Sequence, residues 1–434
     1  MDFDALYKSK LATAAEAISC LPATGTVVLH HAVMEPKTLM HELVNQRERF
    51  DHLRVFHMVR NGGVDITEPG YEKYFIDSMI FSGANSRAAL ACGQADYIPI
   101  FFHELPVLIR NGIIPCDAAM IQVSPPDSEG YCSLGASVDY TADAVRKANL
   151  VIAQVNKFVP RTFGDGSVHL SDIDYIVPAD EDLYYVNPIE IGDEEKAIGA
   201  NCASLIEDGC TLQLGIGGIP DAVMLFLDGK KDLGIHSEMI SDGTLSLFEK
   251  GVINNSKKTL SKGKMTVTFL MGTKKLYDWV DNNPNLEVRT VDYVNHPMTI
   301  MQQNKPIGVN SCIEIDLLGQ VVSDTIGLRQ FSGTGGQVDF VRGCAMAEGG
   351  KSIIAMPSSI LKKDGTRISK IVPFITHGAA VTTSRNDVEY VITEQGITNL
   401  KGRSLRERAK ALIEIAHPDF RGELRQEYNK RFVD

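Results

Sequence analysis

Leu212-Gln213-Leu214-Gly215-Ile216-Gly217-Gly218-Ile219-Pro220-Asp221-Ala222-Val223 reads as a short apolar strand, a glycine turn and a helix. Pro220 and Asp221 fall in the first turn of that helix, where both residue types favour a helix start. Backbone N–H groups converge in such a turn and can hold an anion or a developing oxyanion. Further on, Gly234-Ile235-His236-Ser237-Glu238-Met239-Ile240-Ser241-Asp242-Gly243 carries a carboxylate, Glu238, among polar neighbours between an apolar strand and a glycine. That setting suits a strand end facing a cleft. A carboxylate beside a donor-rich loop points to acyl chemistry.

Working outward, the pattern repeats. Gly25-Thr26-Val27-Val28-Leu29-His30 followed by Pro36 can be laid on Gly209-Cys210-Thr211-Leu212-Gln213-Leu214 followed by Pro220. Each copy reads as a helix ended by glycine, a short strand, and a second helix opened by proline. Two related halves are therefore expected, as 434 residues exceed what one core usually supports. The acidic stretch 180–193, containing Pro188, marks the seam, giving domains 1–188 and 189–434, with a helix over 194–206. Strand-like runs at 26–29, 150–155, 212–214, 265–270 and 352–356 alternate with helical stretches, which implies open, mainly parallel α/β sheets. Residues 310–316 and 320–324, around Leu317-Leu318-Gly319, read as a hairpin near a sheet edge. Near the C-terminus, Ser404 and Glu407 form a capping box for a helix that Pro418 ends.

Composition narrows the function classes. The net charge is −12, from 55 acidic and 43 basic residues, and no dense basic block appears, so nucleic acid is not an expected partner. No basic leader precedes an apolar run, and no continuous apolar segment approaches eighteen residues, so a cytoplasmic protein without membrane spans is expected. Cys20, Cys92, Cys116, Cys132, Cys202, Cys210, Cys312 and Cys344 show no CxxC or CxxH spacing, and no metal site is expected. The glycine strings fail as nucleotide fingerprints. Proline stands where the third glycine of the first belongs, Val338 breaks Gly333-Thr334-Gly335-Gly336-Gln337, and Ala345 replaces the glycine that would open a P-loop ending at Gly350-Lys351-Ser352.

The chain resembles the coenzyme A transferases of the acetyl-CoA hydrolase/transferase family. The likeness includes the two segments quoted first, Ser124-Pro125-Pro126-Asp127, Phe331-Ser332-Gly333-Thr334-Gly335-Gly336-Gln337-Val338-Asp339-Phe340, and the tail from Lys401 through His417-Pro418-Asp419-Phe420. It covers essentially the whole chain. The resemblance implies two open-sheet α/β domains of the CoA-transferase fold with the site in the cleft between them, and a homodimer. It makes Glu238 the nucleophile, with coenzyme A a co-substrate held by Gly215, Ile216, Gly217, Gly218, Ile219, Asn310, Gly336 and Lys362, or Lys363 in place of the last. The acids of the family include acetate, propionate, butyrate, crotonate and 4-hydroxybutyrate, and one methylene gives little discrimination. Gly218 departs from the family pattern, which has alanine there. Glu394-Gln395-Gly396 matches the Glu-x-Gly nucleophile motif of other CoA-transferases, but is assigned a structural role. The acid pocket is expected in the first half, from residues 124–135 and the strand end at 56–59, with His57 packed rather than catalytic.

The chemistry follows from the side chain. Glutamate is ionised near neutral pH, and its attack on an acyl-CoA gives a mixed anhydride and a coenzyme A thiolate. The thiolate then forms a glutamyl-CoA thioester, which a second acid attacks in a ping-pong cycle that needs no nucleotide. Two alternatives remain: a hydrolase that uses the same glutamate and admits water, and a non-catalytic acyl-CoA-binding protein.

Overall fold

The computed structural model describes residues 2–61 and 63–432. Two compact units emerge, Met1–Asn187 with Thr266–Val294, and Pro188–Met265 with Asn295–Asp434. Irregular chain at 180–192 runs from one to the other, and Thr266–Val294, expected in the second half, packs with the first.

The first unit is built on strands β1 (Thr26–Leu29), β2 (Leu53–His57), β3 (Phe75–Met79), β4 (Ala95–Tyr97), β5 (Ala118–Val123), β6 (Leu150–Val155) and β7 (Tyr175–Pro178). They form one parallel sheet in the order β4-β3-β2-β1-β5-β6-β7. β1 and β5 are buried along their whole length, which explains their largely apolar sequences, because helices cover both faces of such a sheet. Leu39, Met40 and Leu43 of the helix Lys37–Asn45 pack on Val27, Val55 and Met120.

The second unit holds β8 (Thr211–Leu214), β9 (Gly234–Ile235), β10 (Pro306–Ser311), β11 (Lys351–Ala355), β12 (Tyr390–Thr393) and β13 (Gly396–Asn399), in the order β9-β8-β10-β11-β12-β13. Only β13 is antiparallel, as the return of a hairpin with β12. Asn310 thus ends a central parallel strand and not a hairpin arm; the hairpin is the next pair, Glu314–Asp316 with Val321–Val322. The run 265–270 is likewise split into Met265–Val267 and Phe269–Leu270, outside both large sheets. The Ser404 and Glu407 capping box opens the helix Leu405–Glu414, whereas Pro418 does not merely end it but begins another, Pro418–Arg431. Ala409, Leu412, Leu424 and Tyr428 of these helices cover Ile354 and Val391 of the sheet.

In each unit a positive-φ glycine, Gly25 at 117° and Gly209 at 77°, precedes the repeated strand, β1 or β8. Both lie several residues beyond their helices, Ala14–Ser19 and Asp193–Ser204, so they open the strand and do not cap the helix. Three residues past each strand the chain again turns left-handed, at Ala32 (54°) and Gly217 (115°). All eight cysteines are free, six of them buried. No helix among the described residues is long and apolar enough to cross a membrane.

His30, just past β1, is fully buried. Its Nδ1 accepts from the Gln122 N–H at 3.3 Å and its Nε2 donates to the Ser137 carbonyl oxygen at 2.8 Å, an arrangement that fits only the neutral ring. Burial pushes its pKa from 6.5 down to about 4. Because the folded value lies below the unfolded one, the unfolded chain binds the extra proton, and stability falls as pH drops from 6.5 toward 4. At ~1.4 kcal/mol per unit this amounts to about 3 kcal/mol. Urea midpoints across that window should show the decline in the wild type and a flatter profile in His30→Gln; parallel profiles would refute it.

Candidate active site

The carboxyl ends of β8, β9 and β10 carry the glycine loop, Glu238 and Asn310, at the edge where open α/β sheets bind ligands. The helix after β8 spans Gly218–Leu225, with Gly217 at its N-cap. The Asp221 N–H donates to the Gly217 carbonyl oxygen at 3.0 Å, and Pro220 has no N–H. The Gly218 and Ile219 N–H groups therefore have no acceptor within the helix. The φ of 115° at Gly217 is one that side-chain-bearing residues rarely adopt. A Cβ at Gly215 or Gly217 would meet nothing within 4 Å, so the space over the loop is open. An alanine at Gly218 would place its methyl 3.2 Å from Cγ of Glu195, a tight but movable neighbour.

Glu238 lies three residues beyond β9 and is half-buried. Asn295 Nδ2 donates to its Oε2 at 2.7 Å. On the other side stands Gly336, where a Cβ would lie 2.3 Å from the same oxygen and 2.4 Å from Asn295 Nδ2. Gly336 is the N-cap of the helix Gln337–Met346, which packs beside β10 and β11. Its φ is −91°, so this glycine is required by the closeness of the carboxylate and not by its backbone. Behind Glu238, His236 is buried, its Nδ1 3.1 Å from Gln303 Nε2. Asn295, absent from the sequence reading, is distant in the chain and carries no motif; in Val294-Asn295-His296-Pro297 it reads as a helix-start residue.

Asn310 Nδ2 donates to Oε1 of Gln213 at 3.2 Å, tying the end of β10 to the strand that feeds the glycine loop. Lys362 is placed differently. It occupies the exposed turn between Ser359–Leu361 and Arg367–Ser369, where its N–H donates to the Thr366 carbonyl oxygen at 2.8 Å; Lys363 is exposed beside it. Glu394 is engaged as a structural acceptor. It takes the Ser358 N–H at 2.8 Å and the Ser358 hydroxyl. Burial would raise its pKa, but the Ser358 hydrogen bonds outweigh this and hold the carboxyl below its ordinary value. Glu394→Gln should therefore leave the catalytic rate within about threefold of wild type and lower stability by about 1–2 kcal/mol, the cost of a weakened half-buried acceptor. Urea unfolding beside steady-state rates checks both; loss of exchange in a stable variant would refute the structural role.

In the first unit, Ser124 is buried past β5, its Oγ accepting the Ser133 N–H at 2.9 Å. His57 is also fully buried, its Nε2 2.7 Å from Oδ1 of Asp77.

Residues 1–187 match the acetyl-CoA hydrolase/transferase N-terminal domain, and residues 272–428 match its C-terminal domain. The chain belongs to the acetyl-CoA hydrolase/transferase family. Among its relatives, the 4-hydroxybutyrate coenzyme A transferase of Clostridium kluyveri is 55% identical over 432 residues, covering 100% of both chains. A crystal structure of a 4-hydroxybutyrate CoA-transferase from Porphyromonas gingivalis aligns with a TM-score of 0.83 at 42% identity, over 99% of this chain and 100% of that one. RipA from Yersinia pestis aligns with a TM-score of 0.94 at 36% identity, over 99% of each chain. Membership of this acetyl-CoA hydrolase/transferase family makes coenzyme A the expected co-substrate, and the family boundary at 272 falls inside the segment that returns to the first unit.

Proposed function

We propose that this protein is a CoA-transferase that moves coenzyme A between short-chain carboxylic acids, with 4-hydroxybutyryl-CoA or butyryl-CoA and acetate as its substrates. The full-length identity of 55% to a 4-hydroxybutyrate coenzyme A transferase carries the reading. The setting of Glu238 supports it: a carboxylate aimed by Asn295, pressed against a glycine, and on the same sheet edge as a loop with N–H groups to spare.

In this reading Glu238 attacks the thioester carbonyl, the C–S bond breaks, and a mixed anhydride and a coenzyme A thiolate form. The thiolate attacks the glutamyl carbonyl, releases the first acid, and leaves a glutamyl-CoA thioester that the second acid attacks in reverse. Asn295 lends Glu238 a hydrogen bond while it is a free carboxylate and so orients it for attack. Gly218 and Ile219 N–H groups receive the tetrahedral oxyanion. Gly215, Ile216, Gly217, Asn310 and Gly336 line the path of coenzyme A, and Lys362 meets it only at the hairpin turn. No proton has to be removed to start the cycle, so His57 has no task in it. The protein works as a homodimer in the cytoplasm.

Intact-protein mass after brief incubation with butyryl-CoA tests the proposal. A coenzyme A adduct that borohydride removes is the expected result; its absence would overturn the mechanism. Release of coenzyme A without acetate, as fast as exchange with it, would favour a hydrolase.

A further inference from the structure

Ser237, the residue before the proposed nucleophile, is 1% exposed, and its hydroxyl donates to the Leu214 carbonyl oxygen at 3.1 Å. One residue earlier, the His236 N–H donates to the Leu212 carbonyl oxygen, also at 3.1 Å, and β9 has already ended at Ile235. The Ser237 side chain thus adds one more rung where main-chain pairing of β9 with β8 has stopped. The carbonyl it holds belongs to the last residue of β8 and is the root of the 215–219 loop. A peptide unit is planar, so fixing its carbonyl fixes the direction in which the chain leaves it. Beyond that root, nothing lies against Cβ positions 215 or 217 to steady the loop from the side.

We propose that Ser237 is a positioning residue whose hydroxyl sets the spacing between the Glu238 carboxylate and the Gly218 and Ile219 N–H groups. The inference rests on the reading of Glu238 as nucleophile, because one side chain then joins the attacking group to the donors that receive the oxyanion. Its hydroxyl acts through the Leu214 carbonyl. A loosened Leu214 carbonyl lets the loop drift by a fraction of an ångström, and reactions that depend on two fixed partners are sensitive to that.

Exchange between butyryl-CoA and acetate, thermal unfolding and intact mass would be measured on wild type, Ser237→Ala, Ser237→Thr and Ser237→Cys. Ser237→Ala should lower kcat by about 10- to 100-fold, leave KM for butyryl-CoA within about threefold, and still form the adduct. Ser237→Thr, which keeps the hydroxyl, should recover most of the rate. If Ser237→Ala does not fold, Ser237→Cys, close in size with a weak donor, makes the same comparison. A kcat within about twofold of wild type in the alanine variant, or equal losses of rate and melting temperature in the alanine and threonine variants, would overturn the proposal. An absent adduct on wild type would instead overturn the Glu238 reading beneath it.

Discussion

Glu238→Gln should lower exchange between butyryl-CoA and acetate by about 10⁴-fold or more, the scale on which enzymes lose rate when a covalent nucleophile is removed. Glutamine keeps the size of the side chain and can still accept from Asn295 Nδ2, now 2.7 Å from the carboxylate, so binding of butyryl-CoA should survive. An amide oxygen is a far weaker nucleophile than a carboxylate and gives no stable anhydride, so the mass adduct should vanish together with the rate. The two readouts separate the possibilities. Lost rate with a retained adduct would put the covalent bond elsewhere, with Glu394 the first place to look. Retained rate would remove Glu238 from the chemistry altogether. Tight binding of butyryl-CoA with no exchange in the wild type itself would instead favour a binding protein.

Gly336→Ala should also be damaging, for a steric reason. The added methyl would lie 2.3 Å from Glu238 Oε2, 2.4 Å from Asn295 Nδ2 and 3.3 Å from the carboxyl carbon, inside the distances Cβ atoms tolerate. The backbone at −91° accepts alanine without strain, so relief has to come from the carboxylate or the amide. Either movement breaks the hydrogen bond that aims Glu238. Displacement by about 1 Å from an attack geometry costs about 10²-fold, and a fall in kcat of about 10²- to 10³-fold is expected with little change in thermal unfolding. Near-normal kcat in Gly336→Ala would show that the carboxylate is not used in the position seen here.

The sequence carried the sheet class because parallel strands buried on both faces write largely apolar runs, as in Thr26–Leu29 and Leu150–Val155. It carried the glycine loop because proline fixes its own backbone angle and glycine is the residue that tolerates a turn such as the φ of 115° at Gly217. It placed Asn310 in a hairpin because turn signals at Leu317-Leu318-Gly319 extend their influence over both flanks, while the pairing of β10 with β8 and β11 is set by residues far away in the chain. Pro418 reads as an end because proline signals a helix boundary without saying on which side the helix lies. Asn295 and Ser237 were invisible as partners of the site: their roles rest on contacts with Glu238 and Leu214 that only the folded chain creates. Lys362 came from the family alone, and in the structure it lies on an exposed turn.

The return of Thr266–Val294 to the first unit has a consequence for the newly made chain. Val138 and Asp165 donate N–H bonds to carbonyls of Thr268 and Val288, and Asp139 accepts the N–H of Val291. Those partners leave the ribosome only after all of Pro188–Met265. At ~5–20 residues per second, the first unit waits on the order of ten seconds for its last layer. A fragment cut at the seam would present the same unfinished surface permanently, so each half expressed alone should be poorly soluble even though each contains all the strands of its large sheet.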